Sequence, residues 1–121
     1  MSTLKVTNIQ ATGETASRAV SGVAAAFERH NSSHTIVSSL NVSSLSDNGT
    51  GDTSVSYTNA FAAADQIIVG SAGAESTSNR IVASIQTEAS LSTSHRYQVA
   101  NGTFTVIDPT VNCTIAHGDL A

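Results

Sequence analysis

Six consecutive residues, Asp47-Asn48-Gly49-Thr50-Gly51-Asp52, oblige the chain to reverse direction. Glycine reaches positive φ without a Cβ clash, and Asn and Asp tolerate it and hydrogen-bond their own backbone. Beyond the turn, Thr53, Val55 and Tyr57 alternate with Ser54, Ser56 and Thr58, the period of two of a half-buried strand. Residues 40–57 therefore read as a β-hairpin. On its first arm Leu40 and Val42 share a phase that Leu45 breaks, and a bulge near Ser43 and Ser44 returns all three to the core face.

The same alternation recurs downstream. Ile81, Ala83, Ile85, Thr87, Ala89 and Leu91 fall in one phase, and the pattern resumes at Tyr97 and Val99. Such a run exceeds the usual strand of about 5–6 residues, so it divides between residues 88 and 93. Asn101-Gly102 is the strongest two-residue hairpin signal, a type I′ turn that sets Val99 opposite Phe104 and Tyr97 opposite Val106. Asp108-Pro109 breaks the ladder, and a last strand spans residues 111–117. Gln66-Ile67-Ile68-Val69-Gly70 reads as a strand covered on both faces, preceded by a connection with a helical turn at residues 61–65 and followed by a polar loop at residues 71–79.

Upstream, Leu4, Val6 and Ile9 suit a short strand or a docking arm, and residues 11–22 a connection. Ala16, Val20, Val23 and Phe27 lie at helical spacing, yet Val23, Ala25 and Phe27 also alternate. The β-patterned surroundings decide for a strand facing inward on those residues, ended by a turn at Asn31-Ser32-Ser33. The expected fold is all-β, an antiparallel β-sandwich or small barrel of about seven to eight short strands with no secure helix. Residues 1–22 form the N-terminal strand or arm with its connection, and residues 23–121 the sandwich domain.

Charged residues are 12% of the chain, against about 25% in ordinary soluble proteins, and there are no Trp, three Phe and two Tyr. Burial contributes only about 25 cal/mol per Å² of apolar surface, so a core this thin favours further burial between copies. A homo-oligomer is expected. The net charge of -4, with Lys5, Arg18, Arg29, Arg80 and Arg96 scattered, argues against a nucleic-acid partner. No apolar run approaches the roughly 20 residues of a membrane span, and the N-terminus lacks the apolar core of a signal peptide. Cys113, the only cysteine, is in phase with Val111 and Ile115 and reads as a buried thiol.

No catalytic, cofactor or metal site is expected. His30 and His34 are four apart, but the turn between them argues against aligned rings; with His95 and His117 they read as solvated or hydrogen-bonded. There is no Gly-x-Ser-x-Gly elbow, and the Asp47 to Asp52 turn lacks the terminal Glu and flanking helices of a calcium loop. Five Asn-x-Ser/Thr sequences, at Asn31, Asn41, Asn48, Asn101 and Asn112, follow from a Ser- and Thr-rich composition.

Asn41-Val42-Ser43-Ser44-Leu45-Ser46-Asp47-Asn48-Gly49-Thr50-Gly51-Asp52, followed by Val55-Ser56-Tyr57, resembles a group of short fibre-like virion proteins of tailed bacteriophages, frequent in marine phages. Met1-Ser2-Thr3-Leu4-Lys5-Val6 with Ile9-Gln10, then Val69-Gly70-Ser71-Ala72, and the closing Gly118-Asp119 resemble the same group in order. Where that group carries a Trp after the alanine-rich segment, this chain has Phe27, and it has Thr53 where an aromatic is usual. The resemblance implies a β-rich, trimeric, non-enzymatic component of the virion, made in the host cytoplasm. A tail fibre, tail tip or similar appendage is the first expectation; a capsid decoration or cement protein, or a head fibre, is the alternative. Its partners would be further copies, other virion proteins and a host-surface glycan. A carbohydrate-binding module of an adhesin is a reading from a different class.

Overall fold

A computed structural model describes residues 8–9, 18–19, 24–73, 81–86 and 91–121. A short pair, β1 (Asn8–Ile9) and β2 (Arg18–Ala19), precedes two four-stranded antiparallel sheets. The first sheet has β3 (Ala24–His30) and β10 (Val111–His117) at its centre, with β4 (Ile36–Leu40) and β7 (Ile67–Gly73) at its edges. The second orders β5 (Val42–Gly49), β6 (Asp52–Tyr57), β9 (Ser94–Asn101) and β8 (Ile81–Gln86). The sheets stack as a sandwich and do not close into a barrel, and no helix occurs among the described residues. Leu4, Val6 and the rest of the expected docking arm before Asn8 lie outside the described residues, as do Ala16, Val20 and Val23.

The chain passes from one sheet to the other at Asn41, which has φ 55°. Asn tolerates this left-handed conformation better than other side chains. Its amide then ties down the neighbouring loop, with Oδ1 accepting from Asn59 N at 2.7 Å and Nδ2 donating to Asn59 O at 3.1 Å. The expected hairpin follows: Gly49 pairs with Asp52, leaving Thr50 and Gly51 as the loop. Ser43 is bulged out between the Val42 and Ser44 pairs, and Val42 and Leu45 both pack against the core. Leu40 does not join them. It belongs to β4, across the corner in the other sheet, and is exposed.

The core gathers Ala26 and Ala116 from one sheet and Val55, Tyr57, Tyr97 and Val99 from the other. Phe61 seals one end, edge-on to Tyr57 at 4.8 Å between ring centroids. The connection from residue 58 to residue 66 bends without forming a helical turn.

Three phase assignments differ from expectation. In β3 the inward residues are Ala26, Glu28 and His30, while Phe27 faces out. In β10, Asn112, Thr114 and Ala116 point in, so Val111, Cys113 and Ile115 line the outer face and the Cys113 thiol is only half-buried. β7 is an edge strand whose Ile67 and Val69 are exposed, and only Ile68 and Ala72 touch the core. The divided run also behaves differently, since Leu91, at the start of the turn into β9, is exposed.

Asn101-Gly102 does not make a two-residue turn. Ala100 bridges to Val106, and the loop closes around the Asn101 side chain, whose Oδ1 accepts from Thr103 N and Thr105 N, both at 3.0 Å. Residues 31–35 are built identically: Asn31 Oδ1 accepts from Ser33 N and Thr35 N, both at 3.0 Å. In each loop the first Asn bonds the last residue through its backbone N–H, and the fourth residue, His34 or Phe104, has positive φ. Asn31, Asn41 and Asn101 are thus corner builders.

Gly51 is the tightest point of the hairpin. It has φ 65°, its N–H donates to Asp108 Oδ1, and an added Cβ would lie 2.6 Å from Ile107 O and 2.8 Å from Val99 O. Gly51→Ala is expected to lower stability by roughly 2–4 kcal/mol, combining backbone strain with overpacking. Urea unfolding with an unchanged m-value checks it; a midpoint equal to wild type would contradict the packing described.

Candidate functional site

Two features stand apart from an ordinary sandwich: a polar seam between the sheets, and an apolar row on the outside of one of them.

The seam runs through the inward side chains of β3 and β10. Thr114 Oγ1 donates to Glu28 Oε1 at 2.9 Å, and His95 Nε2 lies 3.2 Å from Thr114 Oγ1. Since the threonine proton is given to Glu28, His95 Nε2 must carry the proton of that second contact. Its Nδ1 then accepts from the Tyr57 hydroxyl at 2.7 Å. On the other branch, His30 Nδ1 faces the Asn31 carbonyl at 2.7 Å, which can only accept, so Nδ1 is protonated and Nε2 accepts from Tyr97 OH at 2.7 Å. The Tyr97 hydroxyl also lies 3.4 Å from Glu28 Oε1, but its single proton serves the shorter contact. Glu28 Oε2 meets no hydrogen-bond partner among the described residues.

Both imidazoles in this arrangement are neutral, and their surroundings agree. Burial holds His95 down to about 4 and also lowers His30, while it pushes Glu28 up to about 7 against the opposing hydrogen bond from Thr114. Burial likewise raises both tyrosines. Neutral, hydrogen-bonded groups can be interred where charges cannot. Each imidazole and hydroxyl is held by another, with Glu28, His30, Tyr97 and Thr114 fully buried. The seam's geometry suits joining two sheets in one register.

Contrary to expectation, His30 and His34 do align: the turn itself stacks their rings at 5.2 Å. His34 Nε2 is engaged with Thr53 Oγ1 at 2.9 Å and His30 with its two partners. Asp52, in the turn, is also committed: it accepts from Arg96 at 2.8 and 2.9 Å and from Gln98 at 3.0 Å. The Arg96 bonds hold its carboxyl down to about 2. No group of three or more His, Cys, Asp or Glu spaced for a metal ion occurs among the described residues.

Outside the first sheet, strand pairing aligns four apolar side chains in one row. Leu40 pairs with Phe27, Phe27 with Ile115, and Ile115 with Val69. They are 49%, 36%, 41% and 57% exposed, and Ile67 extends the patch along β7 at 68%. At strand spacing of about 4.8 Å the row spans about 14 Å. Antiparallel sheets ordinarily give water a polar face. Across β5, β6 and β9 the second sheet follows that rule: Ser44, Ser56 and Ser94 form one cross-strand row and Ser46, Ser54 and Arg96 the next.

Beside Ile67, a hollow of about 260 Å³ is lined by Ala62, Ala63, Asp65, His117, Gly118 and Asp119. No helix among the described residues is long and apolar enough to cross a membrane. Comparisons with known protein families, with curated proteins and with solved structures find no match.

Glu28 gives the seam a pH signature. Its folded value of about 7 lies above the ordinary 4.5, so its favourable contribution is complete below pH 4.5 and is lost as pH rises through 7. His95 and His30, depressed by burial, act oppositely and weaken the fold as pH falls below 6.5. Comparison with Glu28→Gln isolates the carboxyl. Relative to that variant, wild type is expected to lose about 3 kcal/mol between about pH 4 and about pH 8. Urea titrations at both pH values read this directly, and parallel behaviour of the two proteins would remove Glu28 from the account.

Proposed function

We propose that this chain is a non-enzymatic structural protein of a tailed-phage virion, working by self-assembly and by docking to other virion proteins in a tail fibre, tail tip or similar appendage. The observation that carries the assembly reading is the Leu40–Phe27–Ile115–Val69 row. A contiguous apolar patch on a sheet face is the kind of surface that proteins bury against a partner. The partner is a further copy, because the chain's own core is thin and the patch carries few charges. Arg29 sits one pair along, in the row Ser38–Arg29–Cys113–Ser71. Three copies around an axis, and the phage setting itself, rest on the resemblance of residues 41–57 to fibre-like virion proteins.

Phe27→Glu with Ile115→Glu places two carboxylates in the middle of the row at positions that the monomer leaves exposed. Light scattering is expected to show an oligomer for wild type and its dissociation in the double variant, with the circular dichroism spectrum unchanged. A wild-type protein that is monomeric at all accessible concentrations would defeat the assembly reading. Mass spectrometry of purified phage particles tests the location, and the protein is expected among their stoichiometric components.

A further inference from the structure

We propose that copies of this chain also join head to tail, the Phe104 ring of one copy entering the hollow beside Ile67 of the next; the inference rests on the self-association proposed above and adds a second contact to it. Phe104 is 83% exposed and has φ 60°. A left-handed conformation strains a non-glycine residue, and a bulky side chain is an outlier there. The loop cannot relax it. Phe104 N donates to Asn101 O and Asn101 N to Thr105 O, both at 2.9 Å, while Thr103 Oγ1 donates to Asn101 Oδ1 at 2.8 Å. The ring is held outward on a fixed stalk.

The twin loop shows what such strain serves. There the left-handed residue is His34, whose side chain is 14% exposed, bonded to Thr53 and stacked on His30. The chain uses that ring itself. Phe104 is presented in the same way, with no ring contact among the described residues.

A receptor for it exists at the other end of the sandwich. The loop at residues 101–105 follows β9 and leads toward the start of β10 at Val111, whereas the hollow lies where β10 ends, at His117 and Gly118. Seven residues of strand, roughly 20 Å, separate the two ends, so knob and hollow of one copy do not meet. The hollow's apolar wall is Ala62, Ala63 and Ile67, fixed by Ala62 N donating to Asp119 O at 2.7 Å. The hollow, of about 260 Å³, is open to solvent, with Asp65, His117 and Asp119 completing its lining beside the apolar wall. Knob and hollow being different surfaces, the contact is heterologous and repeats from copy to copy. One ring binds weakly alone; multiplied over an oligomer already joined by its outer faces, it is reinforced by avidity.

Phe104→Gly removes the ring and relieves the strain, and is expected to melt at or above the wild-type temperature. Ala63→Trp fills the hollow. In sedimentation velocity, wild type is expected to show the face-joined oligomer and a series of larger species growing with concentration. Each variant should keep the oligomer and lose the series. Mixing the two should restore a species of twice the oligomer's mass and no more, since one supplies only knobs and the other only hollows. A wild-type oligomer with no larger species, a Phe104→Gly protein that keeps them, or a mixture that restores nothing overturns the head-to-tail contact and leaves the face-joined oligomer standing. A monomeric wild type removes both.

Discussion

The hydrogen bond from Thr114 to Glu28 is the contact on which the remaining architecture turns. It lies between neighbouring central strands of the first sheet, and through His95 it reaches the second. A carboxyl buried in this way is tolerated when protonated and bonded, and is costly otherwise. Once Glu28, His30, Asn112 and Thr114 occupy the inward positions of β3 and β10, strand alternation leaves no choice for their neighbours. Phe27, Val111, Cys113 and Ile115 must face out. The apolar outer row is thus a consequence of the polar seam.

The seam also explains how so few large side chains suffice inside. Ala26 and Ala116 present almost no bulk, and they share one core cluster with Tyr57 and Tyr97 from the opposite sheet. Tyrosine is useful here because its ring packs while its hydroxyl needs a partner, which His95 and His30 supply. Large-opposite-small packing therefore fixes the same register that the hydrogen bonds fix. The two kinds of contact are mutually dependent, so loss of either side chain type would loosen both.

Where local chemistry dictated structure, the sequence was readable. Gly49 and Gly51 define the hairpin, the misphased Leu45 announces the Ser43 bulge, and Pro109 marks the break before β10. What failed was the choice of phase in β3 and β10. Val23-Ala25-Phe27 and Val111-Cys113-Ile115 are the more apolar sets, so hydrophobicity alone turns them inward. The decisive partners, Tyr57 and Tyr97 in the other sheet, are separated from them by tens of residues, and no local pattern records that pairing. The run Ala24-Ala25-Ala26 gives no phase of its own, since both alternate sets are small. The Asn101 loop was misread for a similar reason. Asn-Gly favours a tight turn, but Thr103 and Thr105 give the Asn101 side chain two further donors, and five residues close where two were expected.

The polar rows of the second sheet limit the form that an assembly can take. A sandwich apolar on both faces would stack without end, sheet upon sheet. Here the Ser44–Ser56–Ser94 and Ser46–Ser54–Arg96 rows give β5, β6 and β9 a polar outer surface. Were copies joined through the apolar row as proposed, their serine-rich rows would face outward. Which side of the first sheet is apolar thus follows from which side of β3 and β10 the polar residues occupy.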